Sequence, residues 1–254
     1  MTETIEYAMK KLRLSGMAQS LEVRLQEARA NRLGHDQFLE LILQDEMLVR
    51  KERQFARRLR QASFTSLKTM DQFNWNFNPE LDRDRIEDLA CCQFVRENRD
   101  VLFIGPPGIG KTHLAQAIGY NALKSGFLVL YRSIFDLVRE FLRDEAMSGQ
   151  DRTLDRYLRP YLLIIDDMGL KQLPKNSAEY LFEVVMRRYE TRSTVMTSNR
   201  PIEEWGQLVG DVPAAGAILD RFLHHAEVVT MQGKSHRLKE RAETTAKKEV
   251  EKTS

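Results

Sequence analysis

Apolar positions recur at helical spacing through the first quarter of the chain, then give way to short unbroken runs. Leu21 and Leu25, then Phe38, Leu41 and Ile42, then Leu48, Phe55 and Leu59 fall on the stripes of amphipathic helices. Gly16 and the stretch Asn31 to Gly34 are the natural breaks. Residues 1–65 are therefore expected to form a small all-helical domain. A polar, aromatic connector is expected over 66–85; within it, Phe73-Asn74-Trp75-Asn76-Phe77-Asn78-Pro79 ends on an Asn-Pro turn signal. Ile86, Leu89 and Phe94 then predict a helix over 84–98. Beyond it, Val101–Ile104, Phe127–Tyr131, Tyr161–Ile165, Thr194–Thr197 and Val228–Met231 read as five strands. Helices are predicted between them over His113–Lys124, after a Ser133 cap with Asp136 three residues on, and over Ser177–Glu190. The helix after Ser133 should bury Leu137, Val138, Phe141 and Leu142. Strands that are apolar throughout and separated by helices imply an α/β fold with a parallel five-stranded sheet covered on both faces. That domain is expected over 86–241, and the charged, alanine-rich stretch 242–254 is expected to be a disordered tail.

Composition narrows the class. The 254 residues are 42% hydrophobic, enough for a packed core, and 30% charged. A net charge of +2 does not announce nucleic acid, so the distribution of charge must decide. The most basic segment holds Arg50, Lys51, Arg53, Arg57, Arg58 and Arg60 against Glu52 alone. It is either a solvated helix face or a helix that contacts phosphates or docks a partner. No apolar stretch approaches the ~20 residues that span a bilayer, and Met1 to Lys11 lacks an apolar signal core. No membrane association is expected. Cys91 and Cys92, the two cysteines, are adjacent and make neither a disulfide framework nor a zinc set. Both are expected to face the core, in a protein of the reducing cytoplasm.

Residues 105–112 carry the chemistry: Gly105-Pro106-Pro107-Gly108-Ile109-Gly110-Lys111-Thr112 is a complete G-x-x-x-x-G-K-[ST] loop between a predicted strand and a predicted helix. Glycines let backbone N–H groups turn inward around a triphosphate, and the helix N-terminus, from His113 onward, adds partial positive charge. Lys111 would reach the β- and γ-phosphates, and the Thr112 hydroxyl would ligate Mg²⁺. An acidic residue at the end of a buried strand is the second requirement, and Leu162-Leu163-Ile164-Ile165-Asp166-Asp167 supplies it. Asp166, ending the run, would help hold Mg²⁺, and Asp167 would orient or deprotonate the attacking water. The alternative is that both aspartates cap the turn at Gly169. Asn199, after Thr197 and Ser198, can position water without neutralising the acid; alone, the same residues would be an ordinary strand-ending turn. Arg221 and Arg237 are candidate partners for the charge that phosphoryl transfer spreads over equatorial oxygens. The bland alternative for Arg221 is a surface arginine paired with Asp220. His224 and His225 lack metal-ligand spacing to other histidines or cysteines, which favours packing.

Together these residues resemble an AAA+ ATPase of the initiator and helicase-loader branch, and within it the IstB-like ATPases of bacterial insertion sequences. The resemblance runs from Leu12-Arg13-Leu14-Ser15-Gly16-Met17-Ala18 through the phosphate loop, Ile164 to Gly169, Arg188-Tyr189, Thr197 to Pro201, Trp205, and Leu219-Asp220-Arg221-Phe222-Leu223-His224-His225. It implies a P-loop AAA+ core binding ATP and Mg²⁺. It also implies DNA-dependent hydrolysis, assembly on double-stranded DNA, and recruitment or stimulation of a cognate transposase. Arg221 would then act in trans on ATP held by the adjacent subunit of a homo-oligomer, and Arg237 would sense the γ-phosphate. The branch's additional helix after the second strand would place Arg139, Arg143, Arg152 and Arg156 as candidate DNA contacts beside Arg50, Arg53, Arg57 and Arg58; the alternative for those first four, interleaved with acids, is a solvated face. One departure stands out: the family usually has Glu where this chain has the shorter Asp167, which implies slow turnover. A replicative helicase loader, which shares the core but grips a helicase, is the nearest alternative. A small-molecule kinase would leave Asn199 and the N-terminal helices without roles.

Overall fold

The computed structural model describes residues 3–146, 150–169, 173–174, 177–209, 212–233 and 235. The chain divides into two compact units, Met1–Arg58 and Leu59–Ser254. Among the described residues no helix is long and apolar enough to cross a membrane.

The first unit is built from α1 (Glu3–Lys11), α2 (Ser15–Asn31) and most of α3 (His35–Ala62). Met9, Met17, Leu21 and Ile42 form its buried centre, with Leu14, Leu25 and Phe38 packed around them. The second predicted break is present: Arg32 adopts the left-handed conformation at φ 52° and closes α2 through Leu33 N–H to Ala28 O. The first is displaced. Gly16 lies inside the first turn of α2, and the chain instead turns before it, at Arg13 with φ 56°. Gly16 serves close approach, since a Cβ there would stand 2.7 Å from Glu46 Cα. Leu48 also departs from expectation: it is 57% exposed, because the buried face of α3 runs through Phe38, Ile42 and Glu46 instead.

Glu46 joins α2 to α3. No side chain of its own caps α2, so its first amides need a remote acceptor. The buried Glu46 carboxylate accepts from Gly16 N–H at 2.6 Å and Met17 N–H at 3.1 Å, and Arg50 Nε donates to it at 2.6 Å. Burial alone would raise this carboxyl; the three donors outweigh it and hold the pKa below the ordinary 4.5. Arg24 adds a two-pronged bond to Asp45 at 2.8 and 2.9 Å.

The second unit contains α4 (Arg83–Ala90), α5 (Gln93–Arg96), β1 (Asp100–Ile104), α6 (Lys111–Lys124), β2 (Val129–Ser133), α7 (Ile134–Ala146), α8 (Gln150–Leu158), β3 (Leu162–Met168), α9 (Ser177–Arg188), β4 (Ser193–Ser198), α10 (Trp205–Val209), α11 (Val212–His224) and β5 (Ala226–Thr230). The sheet is five-stranded, all parallel, in the order β2-β3-β4-β1-β5. Side chains alternate across it. Leu102, Leu130, Leu163, Ile165 and Met196 join one apolar cluster with residues of α7, α9 and α11. Helix α6 covers the other face, packing on β1 to β4.

Several predicted boundaries move. The helix expected over 84–98 is broken at Cys92, which takes φ 60°; Cys92 is buried, whereas Cys91 is exposed rather than core-facing. β2 begins two residues late because Phe127 closes the turn after α6, its N–H bonded to Ala122 O. β3 continues past Asp166 to Met168, and β5 starts at Ala226. Ser133 caps α7 as expected, accepting from Asp136 N–H at 3.1 Å, but Leu142 is 36% exposed and lies off the buried stripe. Two helices, α7 and α8, follow β2. Arg188 is almost fully buried and donates to Tyr157 O at 2.7 Å, Pro160 O at 3.0 Å and Thr194 Oγ1 at 3.0 Å. It thereby ties the end of α9 to the starts of β3 and β4.

Glu46→Ala should lower the stability of the first unit by about 1–3 kcal/mol, the cost of leaving buried amide donors without an acceptor. A depressed carboxyl contributes stability above its unfolded pKa, near 4.5, that is lost as pH falls through the lower folded value. Hydrogen exchange of the α2 amides as a function of pH should therefore show an acid limb in the parent that the variant lacks.

Candidate nucleotide site

Sheet order assembles the site. β1, β4 and β3 are neighbours, so their carboxyl ends lie side by side although they are distant in sequence. Ligands of open parallel sheets bind at this edge. β1 delivers the phosphate loop, β3 delivers Asp166 and Asp167, and β4 delivers Asn199.

The phosphate loop runs from Gly105 into the first turn of α6. Gly110, at φ 102°, precedes that helix, and a Cβ on it would come within 2.7 Å of the Phe73 ring. Lys111 is buried, and its Nζ donates to Gly105 O at 2.7 Å and Pro106 O at 2.8 Å, which folds the ammonium into the loop it belongs to. The Thr112 hydroxyl donates to Asp166 Oδ1 at 3.0 Å. That bond uses the hydroxyl proton and leaves oxygen lone pairs for a cation. The hydroxyl and the carboxylate form a hard-oxygen donor set that suits Mg²⁺.

Asp166 is 1% exposed. Besides Thr112 it receives the Tyr131 hydroxyl on Oδ2 at 2.5 Å and the Thr197 hydroxyl on Oδ1. Burial and the neighbouring Asp166 charge push the Tyr131 phenol well above its ordinary range, so it remains a donor. Just beyond, the β3–β4 register slips. Ile165 pairs with Met196, but Met168 pairs with Ser198, so β3 carries one residue more than β4. Asp167 absorbs it at φ 66°, a conformation that non-glycine residues seldom adopt. Its N–H donates to Thr197 Oγ1 at 3.2 Å. Asn199 is anchored beside it through its N–H to Met168 O at 2.8 Å. The fully buried Trp205 donates to Ser198 Oγ at 3.2 Å and steadies the end of β4.

Of these groups, Lys111, Thr112, Asp167 and Asn199 line one cavity of about 680 Å³, within the usual range for small-molecule sites. Pro107 to His113, Asp167 and Asn199 line one side. The other wall comes from the connector, including Lys68, Phe73, Asn74, Phe77 and Asn78, which sequence reasoning treated only as a link. Asn78 is buried and donates to Ile109 O at 2.6 Å, clamping the loop from outside. Phe73 packs edge-on against His113 at 5.4 Å, and Gln116 donates to Thr65 Oγ1 at 2.9 Å. A run of aromatics and asparagines is unusual for a solvated linker; that composition was the available signal. His113 lies on the cavity wall, its ring nitrogen 2.9 Å from Thr69 O, with burial lowering its pKa.

Arg221 does not line this cavity. It is 48% exposed, with its guanidinium 5.4 Å over the Tyr189 ring and 4.0 Å from Asp220. The Tyr189 hydroxyl meets His224 Nδ1 at 2.7 Å and His225 Nε2 meets Glu190 at 3.0 Å, so both histidines are engaged locally. With Glu190 they make the one possible metal-ligand group among the described residues, a neighbour that spacing to other histidines and cysteines could not reveal. Of the basic candidates, Arg50 is paired with Glu46, and Arg53 bonds Ser15 Oγ. Arg57 and Arg143 are exposed, Arg58 is half-buried, and Arg139 pairs with Asp136 at 3.4 Å. Arg237 lies outside the described residues.

Comparison with known proteins agrees with this geometry. The family model for the IstB-like ATP binding protein matches residues 7–244. The ATP-binding protein of insertion sequence IS5376 from Geobacillus stearothermophilus is 36% identical over 241 residues, covering 95% of this chain and 96% of its own. That of IS21 from Pseudomonas aeruginosa is 35% identical over 237 residues, covering 93% and 89%. Among solved structures, AMPPCP-bound DnaA from Aquifex aeolicus superposes at TM-score 0.54 with 21% identity, over 65% of this chain and 50% of that one. The DnaC helicase loader does so at 0.51 with 21% identity, over 62% of this chain and 98% of its own. Those two likenesses extend to the fold, an AAA+ core; the sequence matches go further, and the chain belongs to the family of IstB-like ATP binding proteins.

Proposed function

We propose that this protein is a Mg²⁺-dependent ATPase that assembles on double-stranded DNA and recruits or stimulates the transposase of an insertion sequence. The observation that carries the hydrolytic part is the convergence of Lys111, Thr112, Asp167 and Asn199 on a single cavity, with Asp166 held directly behind. Lys111 exchanges its bonds to Gly105 O and Pro106 O for phosphate oxygens. Thr112 and Asp166 would hold Mg²⁺, which would supply neutralisation of phosphate charge. Asp167 orients the attacking water and accepts its proton, and the Asn199 amide positions that water without neutralising the acid. The shorter reach of Asp167 compared with glutamate makes turnover slow, as suits a timing switch.

Arg221 acts in trans. Its absence from the chain's own cavity lining and its exposed seat on Tyr189 support a role at a neighbouring subunit's nucleotide. Arg237 senses the γ-phosphate. DNA and transposase enter through the kind of element that encodes the relatives, whose names place them in insertion sequences. Arg57, Arg58, Arg139 and Arg143 are the candidate phosphate contacts; Arg50 and Arg53, already bonded within the first unit, are weaker ones. The protein works in the cytoplasm, where its DNA is.

Lys111→Ala should abolish ATP binding in a fluorescence titration, whereas Asp167→Ala should bind ATP normally and lose turnover, leaving a long-lived ATP-bound assembly on DNA. Arg221→Ala should keep nucleotide affinity and lose roughly 10³-fold in DNA-stimulated turnover, the scale of an arginine finger. Equal loss of both would exclude the trans role. Mass measurement with duplex DNA and a non-hydrolysable ATP analogue should give a multi-subunit complex; a species that stays monomeric would overturn the assembly.

A further inference from the structure

We infer that Thr197 is a positioning residue that locks the two aspartates into one geometry, an inference that rests on Asp167 being the hydrolytic carboxylate. The extra residue in β3 sets Asp166 and Asp167 together opposite Thr197 of β4. In a regular parallel ladder the Asp167 N–H would find a carbonyl on the neighbouring strand. At the bulge the Thr197 side chain serves this amide: Oγ1 accepts from Asp167 N–H at 3.2 Å. A hydroxyl has one proton, and here it goes to Asp166 Oδ1. Thr197 is 1% exposed, so water cannot readily substitute.

The consequence is a two-sided constraint. Asp167 cannot rotate out of its left-handed conformation without breaking its bond to Thr197, and Thr197 cannot turn without releasing Asp166. Asn199 closes the far side through Met168 O, two residues along the same strand from Thr197. One buried hydroxyl thus relates the carboxylate that would hold the cation, the carboxylate that would meet the water and the strand that carries the amide. None of the three bonds uses the cavity-facing side of Asp167.

Thr197→Val keeps the β-branched shape that suits a buried strand but deletes both hydrogen bonds; Thr197→Ser keeps them. In the full-length protein with duplex DNA, Thr197→Val should lower kcat roughly 10²-fold, the scale of an ångström-level misplacement of a reacting group. Its Kd for a fluorescent ATP analogue should stay within about threefold of the parent, since that binding depends on the phosphate loop. Thr197→Ser should restore kcat. Hydrogen exchange at the Asp167 amide gives a readout independent of turnover: faster in Thr197→Val, parental in Thr197→Ser. Full activity of Thr197→Val beside an inactive Asp167→Ala would overturn the positioning role, as would a serine variant no better than valine. Full activity of Asp167→Ala would instead remove the hydrolytic assignment on which it rests.

Discussion

A carboxylate taken out of water at the edge of a hydrophobic sheet is the constraint around which this protein is organised. Asp166 is nearly inaccessible, and such a group is tolerated only when hydrogen-bond donors replace its lost hydration. Three hydroxyls do so, from Thr112 after β1, Tyr131 in β2 and Thr197 in β4. Each comes from a different segment, so the buried carboxyl group is satisfied only when the sheet has its native strand order. Hydroxyls suit the position better than cationic side chains would. A hydroxyl donates one hydrogen bond and brings no positive charge of its own.

Much of this was legible in the chain because the chemistry demands particular residues at particular spacings. The phosphate loop, the acidic end of β3 and the Asn199 turn are local patterns, and the parallel sheet follows from apolar runs separated by helical ones. What escaped were features set by partners far away in sequence. Gly16 looked like a helix break because glycine often is one; only the approach of α3 explains it. The cysteines looked equivalent until Cys92 took a left-handed turn and Cys91 pointed outward. β3 seemed to stop at its first aspartate, since polarity ordinarily ends a buried strand, yet its backbone pairing resumes at Met168. The connector's part in the cavity was hidden for the same reason: its contacts to Ile109, Gly110 and Gln116 span tens of residues.

The basic segment of α3 illustrates how a charge count can mislead. Arg50 answers the buried Glu46, and Arg53 reaches the start of α2, so part of that positive run holds the first unit together. Charge read from composition has to be discounted by the internal bonds it already makes. Arg57 and Arg143, by contrast, remain well exposed.

Arg188 has a bearing on where irregularity can occur in the sheet. Its guanidinium grips the Tyr157 and Pro160 carbonyls just before β3 and the Ser193 carbonyl at the start of β4, and so ties the two strands at their entry ends, where Leu162 lies opposite Ser193. With that origin fixed, a surplus residue in β3 cannot be relieved by sliding the strand backward. The slack is taken up downstream, between Ile165 and Met168. The rivet and the kink thus lie at opposite ends of the same pair of strands.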